Sequence, residues 1–246
     1  MAHPIHHPAH RAAPVPMPAD EVRLAKEASA GTGTDFRALL ASSLQESHYA
    51  PTARNARSSA AGAYQFTERT WLDLMRRHGP GLGQADLASQ ISLKNGVPHV
   101  ADTGTRTTIL GLRSDTGLAG AMAARYFEEN RASLAHSLGR KPSADEVQMA
   151  YLLGPNGASR LIKAASTHPG VAADKIVPAA VRHNPGLFRE HGGKVKTAQE
   201  AVASLDRHFE AGRKSVEGAI GAHVSMLLPT DTPVDDETGA DATSTS

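Results

Sequence analysis

Residues 39–71 read LLASSLQESHYAPTARNARSSAAGAYQFTERTW, and this stretch decides the fold. Its first part has apolar and small side chains at helical spacing, which predicts an amphipathic helix ending just beyond Glu46. The residues on the common face are Phe36, Leu39, Leu40, Ser43, Leu44 and Ser47. Thr34 is the expected N-cap, and Asp35 is expected in the first turn, where the helix dipole favours an acid.

A loop without acidic residues follows this helix. It is rich in Arg, Ser and Ala, and it closes on GAYQF at residues 62–66 before a second helix begins near Thr67. Glu46 therefore stands at a helix end, half-packed and facing a loop. Burial there would raise the pKa of its carboxyl and let it hold a proton at neutral pH. A solvated helix residue is the commoner interpretation of a single Glu, so the surrounding motif must decide.

That motif resembles the soluble lytic transglycosylase domain, a family of the lysozyme-like superfamily. In the family, a Glu-Ser pair is followed by a Ser/Ala-rich loop, a Gly-x-x-Gln element and a Thr-Ala or Thr-Trp pair. This chain has Glu46-Ser47, then GAYQ at residues 62–65, then Thr70-Trp71. Its Ala-Tyr stands where many members carry Leu-Met.

A third block, AYLLGPNG at residues 150–157, is similar to the family's Ala-Tyr-Asn-x-Gly segment. Leu152 replaces the usual Asn, so the role of that amide must be filled otherwise or not at all. The resemblance covers roughly residues 20–163. Trp71 is expected in the core rather than as a platform for a sugar.

The resemblance implies a mostly α, lysozyme-like domain that cleaves the β-1,4 bond between N-acetylmuramic acid and N-acetylglucosamine in peptidoglycan. Glu46 would act first as the acid and then as the base, forming a 1,6-anhydromuramoyl end. The implied substrate-binding residues are Ser47, Ser59, Gly62, Tyr64, Gln65 and Tyr151. No metal and no cofactor are expected.

Two alternatives stay open. A hydrolytic muramidase would use the same fold and the same Glu46, with water in place of the C6 hydroxyl. A non-enzymatic wall-binding or assembly protein of a secretion or flagellar apparatus would keep only the fold. Leu152 favours the second alternative, and the intact motif around Glu46 and Gly62 counts against it.

Composition limits the other classes of function. The chain has no Cys, which excludes disulfides and Cys-ligated metals. It lacks the glycine-rich elements of nucleotide-binding proteins, and the Arg residues near the loop lack interleaved aromatics, which argues against binding to nucleic acid. Apolar residues do not alternate as in strands, so no sheet is expected.

The predicted organisation has four parts. A disordered His/Pro-rich tail covers residues 1–19, the lysozyme-like domain covers 20–168, an accessory helical segment covers 169–228 and a disordered acidic tail covers 229–246. The net charge is +1, and the last eighteen residues hold five acids without Lys or Arg, which leaves +6 on the remainder. A basic body suits an anionic polymer such as the cell wall.

Helix signals mark the rest of the chain. Helices are expected over residues 21–30, 67–78, 116–138 and 157–165. Capping boxes are expected at Ser143 and Thr197. Within the accessory segment, Val202, Leu205 and Phe209 share one face, which favours a helix packed on the domain over a partner-binding helix.

Location is the remaining question. The first thirty residues have no apolar run that a general secretion machinery would read, and no stretch approaches the ~20 apolar residues of a membrane span. The implied substrate lies outside the cytoplasmic membrane, so three explanations stay open: the true start lies upstream, the chain travels through a specialised apparatus, or it is released by lysis. The second is favoured, and the expected location is the periplasm or cell wall. His3, His6, His7 and His10 are expected to bind metal only adventitiously.

Overall fold

The computed structural model describes residues 17–56 and 58–227, with side chains up to residue 221. This part of the chain is mostly helical, as the sequence predicts. The α-helices are α1 (Glu21–Ser29), α2 (Phe36–Ser47), α3 (Glu68–His78), α4 (Ala85–Ser89), α5 (Thr103–Gly111), α6 (Thr116–Leu138), α7 (Ala144–Leu153), α8 (Pro155–Thr167), α9 (Pro178–His183), α10 (Pro185–Phe188) and α11 (Ala198–Leu227). The strands are β1 (Ser92–Lys94) and β2 (Val97–His99).

The helix boundaries follow the capping signals closely. Thr67 caps α3 by accepting a hydrogen bond from the backbone N–H of Thr70, and Ser143 forms a complete capping box with Glu146 at the start of α7. Thr197 and Glu200 make the same reciprocal bonds at the start of α11. The predicted bounds of α6 are those observed.

The predicted cap of α2 was wrong by one residue. Asp35, not Thr34, is the N-cap, and its side chain accepts a hydrogen bond from the N–H of Arg37. The hydroxyl of Thr34 instead donates to the carbonyl of Ala124 on α6 at 3.1 Å. Thr34 therefore ties the start of the helix to its neighbour.

The expectation that the chain contains no sheet was also wrong. Strands β1 and β2 form an antiparallel hairpin, with Leu93 opposite Pro98. Its turn residues, Asn95 and Gly96, have φ values of 53° and 74°, which match the left-handed conformation of an Asn-Gly hairpin turn. The Asn-Gly signal was present in the sequence, but the strands are too short for an alternating pattern to reveal them.

Two apolar cores share helix α7. The first lies mainly among α1, α2, α3 and α6, and contains Trp71, Phe66 and Tyr151. The second lies among α7 to α11, and contains Leu152 and Leu205. Neighbouring residues of α7 thus point into different cores.

This division gives the unusual Leu152 a structural reason. Its side chain is buried in the second core, whereas Tyr151 belongs to the first core with the residues around Glu46. An apolar side chain suits that apolar environment. Packing in the second core therefore accounts for Leu152.

Helix α11 packs along the domain, as its apolar face predicts. It contacts α2, α8, α7 and α10, and buries Ala201, Leu205 and Phe209 in the second core. Val216 reaches the first core. Among the described residues, no helix combines the length and apolar content needed to cross a lipid bilayer.

The two predicted tails lie almost wholly outside the described residues. This holds for residues 1–16, with the four His residues, and for residues 228–246. Those predictions stay predictions.

Trp71 anchors the first core. Its side chain is 0% exposed, and its Nε1–H donates to the carbonyl of Ile109 at 2.7 Å. We expect Trp71→Phe to lower the free energy of unfolding by about 2–3 kcal/mol, because it leaves a cavity and an unpaired buried carbonyl. Urea unfolding followed by circular dichroism measures this, since the variant removes the single tryptophan.

Leu93→Ala is the control for this experiment. Leu93 is 52% exposed on the hairpin, so its truncation should change stability by less than about 0.5 kcal/mol. A Trp71→Phe variant as stable as Leu93→Ala would contradict the assignment of Trp71 as the anchor.

Candidate active site

Glu46 occupies the last turn of α2, and an unusual helix end holds it there. The N–H of His48 bonds to the carbonyl of Leu44 at 3.0 Å, and the N–H of Tyr49 bonds to that of Ser43 at 3.2 Å. His48 and Tyr49 both have positive φ, 56° and 64°. Helices often end in this left-handed conformation, but usually with Gly, so two residues that carry side chains store strain two and three positions after Glu46.

The carboxyl of Glu46 is shielded from water although the residue as a whole is only partly buried. Its Oε2 atom is buried and has no hydrogen-bond partner among the described residues. Burial raises the pKa of Glu46 to about 8. The environment of the carboxyl, rather than that of the aliphatic stem, sets this value, so Glu46 keeps its proton at neutral pH.

Two hydroxyl groups of the predicted site, those of Ser47 and Tyr151, donate hydrogen bonds to carbonyls of the loop. The Ser47 hydroxyl donates to the carbonyl of Ala63 at 2.8 Å, and the Tyr151 hydroxyl donates to the carbonyl of Tyr64 at 2.9 Å. Both hydroxyls fasten the loop that faces Glu46. Because these donors are engaged, they do not offset the desolvation of the carboxyl.

Tyr151 lies close enough to Glu46 for the two groups to interact electrostatically. The pKa of the Tyr151 hydroxyl is raised well above its usual value, first by burial and then by the nearby Glu46. Its ring stacks on Phe127 with centroids 4.9 Å apart and packs edge-on against Tyr126 at 5.4 Å. Tyr151 is therefore both a core residue and a neighbour of the acid.

The loop over Glu46 is held by its own backbone and by Gln65. The Gln65 side-chain amide donates to the carbonyl of Gly62 at 2.9 Å, and the N–H of Gly62 donates to the carbonyl of Ala53 at 2.9 Å. Gln65 has a positive φ of 48°. The hydroxyl of Ser59 accepts from the N–H of Glu68 at 3.2 Å, which joins the loop to the start of α3.

The structure thus brings Glu46, Ser47, Tyr64 and Tyr151 together through direct bonds or close approach. Ser59 lies at the far end of the loop. The side chains of Tyr64, Gln65 and Tyr151 are buried and hold the loop. Their predicted contact with a substrate stays a prediction.

Arg113 is a site-forming residue that the sequence did not reveal. Its buried guanidinium donates to the carbonyls of Ser59 at 2.6 Å, Phe66 at 3.1 Å and Leu110 at 2.9 Å. Burial lowers its pKa, an effect opposed by the nearby Glu68. It follows α5 in a polar segment without periodicity, so no sequence signal marks it.

Tyr126 is the second residue that sequence reasoning missed. Its place in the predicted helix over residues 116–138 has the spacing of a core residue, yet it lines two neighbouring cavities of about 440 and 470 Å³. The first lies between α3 and the hairpin, with Arg69, Asp73 and Pro98 in its wall. The second lies at the start of α8, with Arg160 in its wall.

A second acid with a raised pKa lies behind the loop. Glu21, at the start of α1, is 4% exposed, and burial raises its pKa. Glu21 also raises the pKa of Tyr49 and Tyr64, although the burial of these two tyrosines has the larger effect. In the sequence it is an ordinary first-turn acid, so only the packing distinguishes it.

A scan of the chain against protein-family models finds no match.

Substitution of Gly62 tests whether the loop must lie close to the backbone of Arg113. The φ of Gly62 is +82°, and a Cβ added there would overlap the carbonyl of Arg113. We expect Gly62→Ala to cost about 3 kcal/mol or more of unfolding free energy, measured by urea denaturation, because the backbone clash adds to the conformational strain.

Gly83→Ala isolates the conformational part of that cost. Gly83 has a similar φ of +75°, but nothing lies within 4 Å of an added Cβ, so a loss of only about 1 kcal/mol is expected. Equal losses in the two variants would show that Arg113 does not constrain the loop.

The raised pKa of Glu46 predicts a pH dependence of stability. The unfolded carboxyl loses its proton near its ordinary pKa of about 4.3, but the folded one keeps it up to about pH 8. The folded chain therefore binds more protons between these values, and the contribution of Glu46 to stability falls as pH rises, by at most about 1.4 kcal/mol per unit.

Glu46→Gln removes this titration. We expect the variant to gain stability relative to wild type as pH rises from about 5 to about 8, with a constant difference above that range. Urea denaturation across this range measures it, with Glu27→Gln on the exposed side of α1 as the control. Parallel stability curves for wild type and Glu46→Gln would contradict the burial of the carboxyl.

Proposed function

We propose that the protein is a peptidoglycan lytic transglycosylase with a lysozyme-like fold, and that Glu46 is its catalytic acid and base. One observation carries the proposal: the Glu46 carboxyl, with a pKa of about 8, has a buried oxygen without a hydrogen-bond partner in the described part of the chain. Such a group keeps a proton at neutral pH and has no protein acceptor for it.

In the first step, Glu46 donates its proton to the glycosidic oxygen while the bond from that oxygen to the muramoyl C1 breaks. The substrate's N-acetyl carbonyl oxygen stabilises the positive charge that develops on C1. N-acetylglucosamine leaves with a free 4-hydroxyl group, and Glu46 becomes a carboxylate.

In the second step, the muramoyl C6 hydroxyl attacks C1, and its proton passes to the Glu46 carboxylate. The product is a 1,6-anhydromuramoyl end, and the acid is restored without water. A carboxylate in a poorly solvated place is a strong base, so the same burial favours both proton transfers.

The need for only one carboxyl agrees with the chemistry around Glu46. Its raised pKa has desolvation as its cause, without a second acid. Glycosidases that use two carboxyl groups place them about 5–10 Å apart. The substrate's own N-acetyl and C6 hydroxyl groups replace the second carboxyl here.

The proposed binding groove comprises the two cavities that Tyr126 lines. Glu46 lines neither of them, and the connection to the acid is the Tyr126 ring, which packs against Tyr151, the tyrosine whose pKa Glu46 raises. Sugar rings pack well on aromatic faces because both surfaces are apolar.

One observation favours the hydrolytic alternative. Asp73 lines the first cavity and pairs with Arg76 and Arg77. A carboxylate in the groove could activate a water molecule, as in glycosidases with two acids. The anhydro product and the hydrolytic product differ by one water, so mass analysis separates the two reactions.

We place the protein in the periplasm or cell wall, where its proposed substrate lies, with export through a specialised secretion or flagellar apparatus. The substrate's position outside the cytoplasmic membrane supports this proposal. Fractionation of cells that express the native protein tests it, and a wholly cytoplasmic protein during wall growth would contradict it.

Glu46→Gln should lower the rate of peptidoglycan cleavage by at least about a hundredfold, because the amide keeps the shape of the side chain but has no transferable acid proton. Release of muropeptides from purified walls, separated and weighed by mass spectrometry, measures both rate and product. Wild-type protein should release anhydro ends.

Asp73→Asn is the matched control. It makes the same acid-to-amide change in the groove wall, and should reduce cleavage by less than about tenfold if Glu46 acts alone. A Glu46→Gln variant within tenfold of wild type would remove Glu46 from this role. Loss of activity in both variants, together with wild-type products that are heavier than the anhydro form by one water, would instead establish the hydrolytic reaction.

A further inference from the structure

Each of the two cavities beside Tyr126 has an arginine in its wall that forms no ion pair with the described residues. Arg69 stands on α3 in the first cavity, and Arg160 stands on α8 in the second. By contrast, the other arginine of the first cavity, Arg77, is engaged by Asp73 and Glu129. Each of the two cavities that share Tyr126 therefore presents one cation without an ion-pair partner among the described residues.

We propose that Arg69 and Arg160 bind carboxylates of the peptide stems that project from the glycan strand on either side of Tyr126. This inference rests on the proposed function and deepens it. It makes the two arginines determinants of specificity for stem-bearing strands over bare glycan.

The chemistry of the ligand follows from the charges. Strands whose stems have been removed carry one lactyl carboxylate directly on each muramoyl ring, whereas the lactyl group of a stem-bearing ring is an amide and the free carboxylates lie further out, on the peptide. Peptide stems carry free carboxylates. A guanidinium binds a carboxylate through two parallel hydrogen bonds, a geometry that a neutral sugar hydroxyl does not match.

The size of the cavities also favours a ligand larger than a sugar ring alone. Their volumes of about 440 and 470 Å³ lie within the range of sites for drug-sized ligands, about 300–1,000 Å³. The first is bordered by the hairpin, through Gly96 and Pro98, and the second by Val177 and the first turn of α9.

The test compares binding of two ligands to full-length protein carrying Glu46→Gln, which prevents turnover. One ligand is purified soluble glycan strands with their peptide stems, and the other is the same strands after an amidase has removed the stems. In this background we add Arg69→Gln, Arg160→Gln or both, and measure dissociation constants by calorimetry.

We expect each arginine substitution to weaken binding of stem-bearing strands by about threefold to tenfold, with the larger loss in the double variant. Binding of stripped strands should change by less than about twofold. Raising the salt concentration should reduce the loss that each arginine substitution causes with stem-bearing strands, because it screens charge pairs.

Lys141→Gln is the matched control, since it removes one exposed positive charge. Lys141 follows the end of α6 at Leu138, about 18 Å of helix beyond Tyr126. The Lys141→Gln variant should bind both ligands as the background variant does. Circular dichroism melts of all variants verify that these surface changes leave the fold intact.

Equal losses for both ligands, or no loss for either, would overturn the inference. A loss with Lys141→Gln equal to that with Arg69→Gln would also overturn it, because general charge would then explain the binding. These outcomes are distinct from failure of the proposed reaction. The cleavage assay with Glu46→Gln tests the reaction separately, and the reaction does not depend on stem recognition.

Discussion

The loop that covers Glu46 depends on a buried guanidinium. The loop has little regular structure, so its carbonyl groups need hydrogen-bond donors from elsewhere. Arg113 supplies two of them in the second half of the loop, to Ser59 and to Phe66. Gly62 then packs so closely on the backbone of Arg113 that no side chain fits there. Burying a charge is costly, and the several carbonyl bonds offset this cost only in one arrangement of the loop.

The fixed loop in turn determines the environment of the acid. Two successive carbonyls accept hydrogen bonds from side-chain hydroxyls: that of Ala63 from Ser47, and that of Tyr64 from Tyr151. The same bonds that hold the loop in place therefore occupy the polar groups that would otherwise stabilise a negative charge on Glu46. Desolvation acts on the carboxyl without compensation, and its pKa rises.

The sequence predicted the elements with strong local signals. Helical spacing and capping residues located α2, α3, α6 and α7, because those helices have clear apolar faces or side chains that bond to their own first turn. The position of Glu46 at a helix end, with Ser47 beside it, followed from the same pattern. Local signals of this kind need no knowledge of the tertiary fold.

The features that the sequence did not reveal arise from contacts between distant segments. Arg113 bonds to carbonyls 47 and 54 residues away, and backbone acceptors leave no mark on the sequence. Tyr126 has the spacing of a core residue, and only the neighbouring hairpin and α8 leave cavities beside it. The buried Glu21 is distinguished only by what packs over it.

Helix α11 has a consequence for the order in which the protein folds during synthesis. The side-chain amide of Gln45, next to Glu46, donates to the carbonyl of His208, 163 residues later in the chain. Chains fold as they leave the ribosome, N-terminal parts first. During synthesis, α2 therefore emerges long before the helix that covers one of its sides. The surroundings of the acid are finished only when the last described helix has been made.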